Sequence, residues 1–255
     1  MKRCLFLLAC FSMPLSVPAA ECTAHSGPAR AAILELYTSE GCSSCPPADR
    51  WFSRVEAPAV GASVVPLAFH VAYWDYIGWK DRFASPVWTE RQRDAMLRSG
   101  SAFVYTPQVI FDGRDLRDWS SAQALRSALS AAAAKPAGGT IGMRLSRSPS
   151  GLEVSVDAAL LPGRVRDATL VAALTESRLA TSVRAGENKG ASLTHDHVVR
   201  VLEPLGHVTG STTTLARTFA IAPDWKMADL AVSAWLQDSA SGEVLQALRL
   251  EVCTK

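Results

Sequence analysis

The feature that most constrains the fold is the stretch Leu34-Glu-Leu-Tyr-Thr-Ser-Glu-Gly-Cys-Ser-Ser-Cys-Pro-Pro-Ala-Asp49. Apolar strand formers from Ala31 to Tyr37 run into small polar residues and Gly41, then Cys42 and Cys45. A segment carrying Trp51, Phe52 and Val55 follows and reads as a helix. A strand, a tight turn and a helix with Cys-x-x-Cys at its N-terminus is the form of a redox-active dithiol. Two cysteines so spaced in one turn have Cβ atoms about 5–6 Å apart. A small shift brings them to the roughly 3.5–4.5 Å that a disulfide needs. The partial positive charge of a helix N-terminus lowers a thiol pKa and populates the thiolate nucleophile. On this reading Cys42, ahead of the helix, is the exposed attacking thiol, and Cys45, nearer the helix body, is the buried resolving one. Pro46 and Pro47 each disfavour α conformation in the residue before them, although a first helical turn tolerates proline. The expected result is an irregular cysteine turn, with Cys45 pushed towards extended geometry and the regular helix starting near Pro46 or Pro47.

Residues 1–20 have a different character. Lys2 and Arg3 precede Leu5-Phe-Leu-Leu-Ala-Cys-Phe11, and Ser16-Val-Pro-Ala-Ala20 supplies small residues for cleavage. This is the pattern of a secretory signal peptide, too short for a membrane span. A lipoprotein reading through Leu7-Leu-Ala-Cys10 places its cysteine very early in the apolar region. Removal of the leader leaves Cys22, Cys42, Cys45 and Cys253, an even number in an exported chain. Chain ends often lie close together in compact structures, so a Cys22–Cys253 disulfide is expected. The alternative is two free or intermolecular thiols on frayed ends.

The 255 residues are 48% hydrophobic and 20% charged with a net charge of +2, an ordinary globular balance. That balance gives no reason to expect nucleic acid or an anionic membrane as partner. No other segment approaches membrane-spanning length, so the mature protein is expected to be soluble and periplasmic or secreted.

Along the chain, Ala62 to His70 reads as a second buried strand. The stretch from Phe69 to Trp88 is rich in aromatic residues, including Tyr73, Trp74, Tyr76 and Trp79. Ser85-Pro86 supplies a cap and first-turn proline for a helix over 87–98, stopped at Gly100. Tyr105-Thr-Pro-Gln-Val-Ile-Phe111 reads as a third strand and Asp112-Gly113 as a hairpin turn. A helix capped by Ser120 or Ser121 then runs to the alanines at 131–134. Pro136-Ala-Gly-Gly139 reads as a linker, and beyond it the apolar period changes from helical to two. Ile141/Met143/Leu145 and Leu152/Val154/Val156 alternate across Pro149-Ser-Gly151, with more alternating runs up to Val252. Several short strands in this tract predict an antiparallel β-sandwich. Residues 177–197 read as a long loop or bulged crossover. The expected organisation is a signal peptide over 1–20, an α/β domain over 29–135, a linker over 136–139 and an all-β sandwich-like domain over 140–255.

The order of elements in residues 29–135 resembles the thioredoxin fold. In that superfamily the proline before the third strand is cis and faces the Cys-x-x-Cys, and Pro107 matches its place. Exposed backbone beside it would let a substrate segment add as a strand. The chain more closely resembles the exported bacterial proteins grouped as domain of unknown function 1223, thioredoxin-like domains followed by a β-rich domain. The stretches that carry this likeness are Glu35 to Asp49, Phe69-His-Val-Ala-Tyr-Trp-Asp-Tyr-Ile-Gly-Trp-Lys-Asp81, Tyr105-Thr-Pro-Gln108, Gly186-Glu-Asn-Lys-Gly190 and Leu193-Thr-His-Asp-His-Val-Val-Arg200. One departure matters. Many thioredoxins bury an Asp at the position matching Leu36, where it moves protons for the second cysteine, and leucine cannot do this. Glu35 should project to the other face of the strand, either as a proton carrier or as the partner of an arginine, since a buried carboxylate needs one or the other.

These residues predict a thiol–disulfide oxidoreductase acting on protein or small-molecule thiols and disulfides with an unidentified redox partner, and needing no cofactor. Cys42, Cys45, Pro107 and Glu35 are the candidate catalytic residues. Thr106, Trp74, Trp79 and His70 are the candidates for the substrate edge. Two other classes stay open: a copper or zinc binding protein or chaperone using the same cysteines with His70 or His195 and His197, and a non-catalytic envelope binding module whose Cys42–Cys45 bridge is structural. His195 and His197, two apart on a strand, would face one side. The plainer reading of them is a β-surface pair bonded to the Glu187-Asn188 loop.

Overall fold

A computed structural model describes residues 21–55, 64–101, 103–163 and 165–253. The expected signal peptide over 1–20 lies outside these residues, as do Ala62 and Ser63 at the start of the expected second strand. In the N-terminal part the strands are β1 (Glu21–His25), β2 (Ala32–Thr38), β3 (Val64–His70), β4 (Gln108–Phe111) and β5 (Arg114–Asp115). The α-helices are α1 (Pro46–Phe52), α2 (Pro86–Arg98) and α3 (Ala122–Ala133). The remaining strands are β6 (Gly139–Ser148), β7 (Gly151–Leu160), β8 (Ala168–Glu176), β9 (Leu179–Ser182), β10 (Ser192–His195), β11 (Val198–Val208), β12 (Thr213–Phe219), β13 (Leu230–Asp238) and β14 (Val244–Glu251).

Local chemistry sets several of these boundaries. The Ser85 side chain accepts the N–H of Val87 and Pro86 opens α2. Ser121 likewise accepts from Ala124 at the start of α3. The β4–β5 turn places both Asp112 and Gly113 at positive φ, 49° and 78°, which an Asp-Gly pair tolerates.

An eight-stranded sheet in the order β14-β13-β8-β11-β3-β2-β4-β5 runs through the molecule. Its two sets of strands meet where β11 lies parallel to β3, with Val198 opposite Ala68. The Ala68 N–H donates to the His197 carbonyl at 2.8 Å across this junction. A smaller sheet, β1-β6-β7-β12, and the β9–β10 hairpin complete the strands.

This architecture overturns the expected fold class, a thioredoxin-like α/β domain followed by a separate sandwich. Strands outweigh helices, 45% against 18%, and the two parts share one sheet instead of each closing its own. The physical reason lies in β8 and β13, where Leu170 to Leu174 and Leu230 to Leu236 are buried on both faces. An antiparallel sheet with one solvated face alternates apolar and polar; these strands do not, because both sides are covered.

On one face, α2 packs Trp88, Ala95 and Met96 against Tyr37, Phe69, Val171 and Trp235, drawn from both sets of strands. The other face is divided. Leu34 and Leu36 pack on Ala48 and Phe52 of α1 and on Leu129 of α3. Leu170, Ala172, Leu174 and Val232 pack on Met143, Leu145, Val154 and Val156 of the smaller sheet. Burying each large side chain in these layers contributes about 1.5–3 kcal/mol. Cys22 and Cys253 form a disulfide with Cα atoms 5.9 Å apart, tying β1 in the smaller sheet to the residues just after β14. Among the described residues, no helix is long and apolar enough to cross a membrane.

Candidate functional site

Strands β2 and β3 are parallel, with Thr38 opposite His70, so both deliver the chain to one end of the sheet. There the chain turns through Ser39, Glu40 and Gly41. The Cys42 N–H donates to the Ser39 carbonyl at 3.1 Å, and the Cys45 N–H to the Cys42 carbonyl at 3.2 Å. Gly41 makes this turn fit, since a Cβ there would lie 3.1 Å from Trp74 Cβ. Cys42 and Cys45 are disulfide-bonded, with Cα atoms 5.4 Å apart. Cys45 caps α1 in right-handed helical conformation, φ −78° and ψ −37°, where the following proline predicts an extended one. Its carbonyl accepts the N–H groups of Ala48 and Asp49 at 2.9 and 3.1 Å, and these bonds offset the preference that Pro46 imposes.

Both cysteines are buried, Cys42 at 1% exposure and Cys45 at 0%, whereas the sequence predicts an exposed Cys42. The cover comes from far along the chain. The expected loop over 177–197 is the β9–β10 hairpin, and its connection lies over the cysteine turn. Glu187 accepts the Ser43 N–H at 3.0 Å. Asn188 Nδ2 donates to the carbonyls of Glu40 and Cys42 at 2.8 and 2.9 Å. Gly186, at φ +72°, seats the connection close to Trp79, where a Cβ would meet Trp79 Cβ at 3.2 Å.

A buried ionisable cluster adjoins the disulfide. His70 Nδ1 lies 2.6 Å from Asp81 Oδ2, and that carboxylate also accepts the Glu40 N–H at 2.9 Å. The His195 ring meets the His70 ring edge-on, with centroids 4.8 Å apart. His195 Nε2 is 3.3 Å from Glu40 Oε1, and Nδ1 is 3.9 Å from Asp49 Oδ2. Trp79 Nε1 donates to Glu40 Oε2 at 2.8 Å. Among the described residues, Thr38 Oγ1, Glu40 Oε1, His70 Nε2 and both ring nitrogens of His195 are buried without a hydrogen-bond partner in the protein. The His195–Glu40 contact is within ion-pair range but is not aligned as a hydrogen bond.

The electrostatics follow from burial and pairing. Burial pushes the Asp81 carboxyl up, but the His70 charge and hydrogen bonds from His70, Glu40 and Phe83 outweigh it and hold the carboxyl at about 2. Burial pulls His70 down, and the Asp81 charge and hydrogen bond more than reverse this, leaving the imidazole above its ordinary value. Burial raises Asp49, against the lowering influence of His195 and His70.

The structure gathers only some of the residues singled out by sequence. His70 is inside the cluster and Trp79 is bonded to it through Glu40. Trp74 abuts Gly41 and donates its Nε1–H to Thr106 Oγ1 at 2.7 Å, so it bridges the cysteine turn and the Thr106–Pro107 edge. The Thr106–Pro107 peptide is cis, and Gln108 pairs with Tyr37, which brings Pro107 to the end of β2 beside the turn. Glu35 is elsewhere. It is on the α2 face, ion-paired with Arg91 and accepting the Tyr37 hydroxyl at 3.2 Å, while Leu36 faces α1. Tyr76 is 82% exposed, and the Tyr73 hydroxyl donates to Gln92 at 3.3 Å.

His195 and His197 do not face one site. His197 takes φ +58° in the turn between β10 and β11 and packs edge-on against Phe52, centroids 6.0 Å apart. Burial and the Arg249 charge hold it at about 4. Among the described residues, no group of three or more His, Cys, Asp and Glu side chains has the geometry to hold a metal ion. Sequence reasoning missed Asp49, Glu40 and Asp81 altogether. Asp49 and Glu40 left readable signals, one helical turn after Cys45 and two residues before Cys42; Asp81 joins the site through tertiary contacts.

Comparison with curated proteins gives no match. Among solved structures, the chain is similar to an Agrobacterium tumefaciens protein determined by X-ray crystallography. The two share 27% identity and a TM-score of 0.68 over 88% of this chain and 95% of that one. HBP35 of Porphyromonas gingivalis shares the fold at 14% identity, with a TM-score of 0.63 over 89% of this chain and 76% of that one. The profile of the family described as "Protein of unknown function (DUF1223)" matches residues 33–237, and the chain belongs to that family.

Proposed function

We propose that the protein is an exported thiol–disulfide oxidoreductase working through Cys42 and Cys45 on protein or small-molecule thiols and disulfides. The observation that carries this reading is the company the disulfide keeps. Glu40, Asp49, His70, Asp81 and His195 are all buried beside it, and several of their polar atoms have no partner. A disulfide that only braces a turn needs no ionisable neighbours. Burying them costs several kcal/mol per unpaired charge, and groups shifted as Asp49, His70 and Asp81 are cluster where protons move. Thiol–disulfide exchange requires proton movement, because thiolate is the reactive species. The α1 N-terminus adds positive potential at the sulfur atoms. Two disulfides in one chain suit an oxidising compartment, in keeping with the signal-peptide pattern.

Complete burial of both cysteines favours a second reading, a structural bridge in a binding protein. Trapping separates the two. Cys45→Ser in the full chain is expected to accumulate mixed disulfides through Cys42, and Cys42→Ser to trap little. Equal trapping by both variants, or by neither, would favour the structural bridge.

A further inference from the structure

Resting on the thiol–disulfide reading, we propose that Asp49 carries the proton of Cys45 during exchange and that His195 positions and tunes it. Asp49 follows Cys45 by one helical turn, its N–H bonded to the Cys45 carbonyl at 3.1 Å. Side chains at this spacing are neighbours, Cβ atoms about 5–6 Å apart, and helical Cα–Cβ bonds tilt towards the N-terminus. This spacing places the Asp49 and Cys45 side chains on one face of the N-terminal end of α1. It is 6% exposed, and its one ion-pair contact among the described residues is His195 at 3.9 Å. Asp49 is the one charged residue among the buried side chains of α1, beside Ala48 and Phe52. The groups that face it come from every neighbouring element: His195 on β10, His70 and the Thr38 hydroxyl at the ends of β3 and β2, and Asp81 beyond His70. Glu40 flanks the far side of the His195 ring. Burial raises the Asp49 carboxyl from its ordinary value, which brings it nearer the pH at which it can exchange a proton with a thiol.

The step balances within the exchange. A substrate thiolate attacks Cys42 Sγ, a new S–S bond forms between substrate and Cys42, and the Cys42–Cys45 bond breaks with its electron pair on Cys45. A bare thiolate at a residue of 0% exposure is costly. The Asp49 carboxylic acid gives Cys45 its proton, leaving a neutral thiol and a carboxylate facing His195. In reverse, the Asp49 carboxylate takes the Cys45 proton. The resulting thiolate attacks Cys42 Sγ of the mixed disulfide and expels the substrate thiolate. No outside oxidant or reductant enters, because the substrate sulfur and the cysteine pair exchange electrons with each other.

The test mixes full-length protein, reduced at Cys42–Cys45 alone, with an aromatic disulfide that releases a coloured thiolate at each attack. The first release reports Cys42 and the second reports Cys45. In wild type the second release should slow as pH falls through protonation of Asp49. Asp49→Asn should leave the first release unchanged, slow the second about 10²-fold and abolish that inflection. His195→Gln should move the inflection to higher pH, because His195 holds the Asp49 carboxyl down. An unchanged second release in folded Asp49→Asn overturns the assignment and leaves the thiol–disulfide reading standing. Should Asp49→Asn not fold, a wild-type profile without the inflection, or one that His195→Gln does not move, overturns it. No first release from wild type sinks the thiol–disulfide reading, and this assignment with it.

Discussion

The Cys22–Cys253 bridge is half-buried, and the polar contacts around it run to backbone: the Cys253 N–H donates to Cys22 Sγ at 2.8 Å, and Arg147 donates to the Cys253 carbonyl at 3.2 Å. The Cys42–Cys45 bridge is closed off from solvent and has Glu40, Asp49, His70, Asp81 and His195 for neighbours. Solvent reaches the first more easily, yet among the described residues its hydrogen bonds involve no histidine or carboxylate that can give or take a proton. The second is hard to reach and has several groups that can. The contrast separates two things usually assumed together, access to a sulfur atom and chemistry at it. It assigns a staple to one bridge and exchange to the other.

The largest effect expected of the staple is on stability. Its removal in Cys22→Ser/Cys253→Ser frees a sequence separation of 231 residues, worth about 5 kcal/mol in the chain-entropy model. Urea titration should show that loss, while thiol exchange by the folded fraction stays intact. A loss below about 1 kcal/mol, or inactive folded protein, would break the division between the bridges.

A smaller loss is expected from Asp81→Asn, which strips the buried His70 of its partner and should cost about 3–5 kcal/mol. The pH dependence sharpens this. Asp81 is held at about 2 in the folded protein, below its unfolded value, so its contribution is present at neutral pH and is lost as pH falls towards that value. His70 is raised, so its contribution is complete below the unfolded histidine value of about 6.5 and is lost as pH rises through the folded one. Urea titrations across pH should show wild type weakening in acid by this route, and Asp81→Asn without that component. An identical acid limb in both proteins would contradict the pairing.

The smallest effect concerns the cover. Asn188→Ala removes both bonds to the Glu40 and Cys42 carbonyls. It should speed reduction of Cys42–Cys45 by a small phosphine about tenfold, equivalent to roughly 1.4 kcal/mol, and leave Cys22–Cys253 unaffected. Equal acceleration at both bridges would mean general loosening, not local uncovering.

Much of this was legible because it is local. The cysteine turn, the Ser85-Pro86 start of α2, the Asp112-Gly113 turn and the Ser121 cap all depend on residues a few positions apart. The terminal disulfide was legible from cysteine number and chain ends. The shared sheet was not foreseen, although its mark was present: Leu170-Val-Ala-Ala-Leu174 runs apolar without alternation, the pattern of a strand covered on both faces. Such a run says that cover exists and not which element supplies it, and α2 lies some seventy positions earlier in the chain. The cluster was harder still to read. Nothing near Cys42 in sequence indicates that His195 and Asn188 fold back onto it, and Glu35, which sequence favoured, is turned away by strand alternation to pair with Arg91.

Titrating both bridges in one glutathione redox series, with each read by mass mapping, bears most directly on the assignment of exchange to the buried pair. Catalytic dithiols lie at about −270 to −120 mV and structural disulfides of secreted proteins below about −300 mV. Cys42–Cys45 should open within the first range while Cys22–Cys253 stays closed throughout the series. Opening of Cys22–Cys253 first, or a Cys42–Cys45 bridge still closed below about −300 mV, would contradict it.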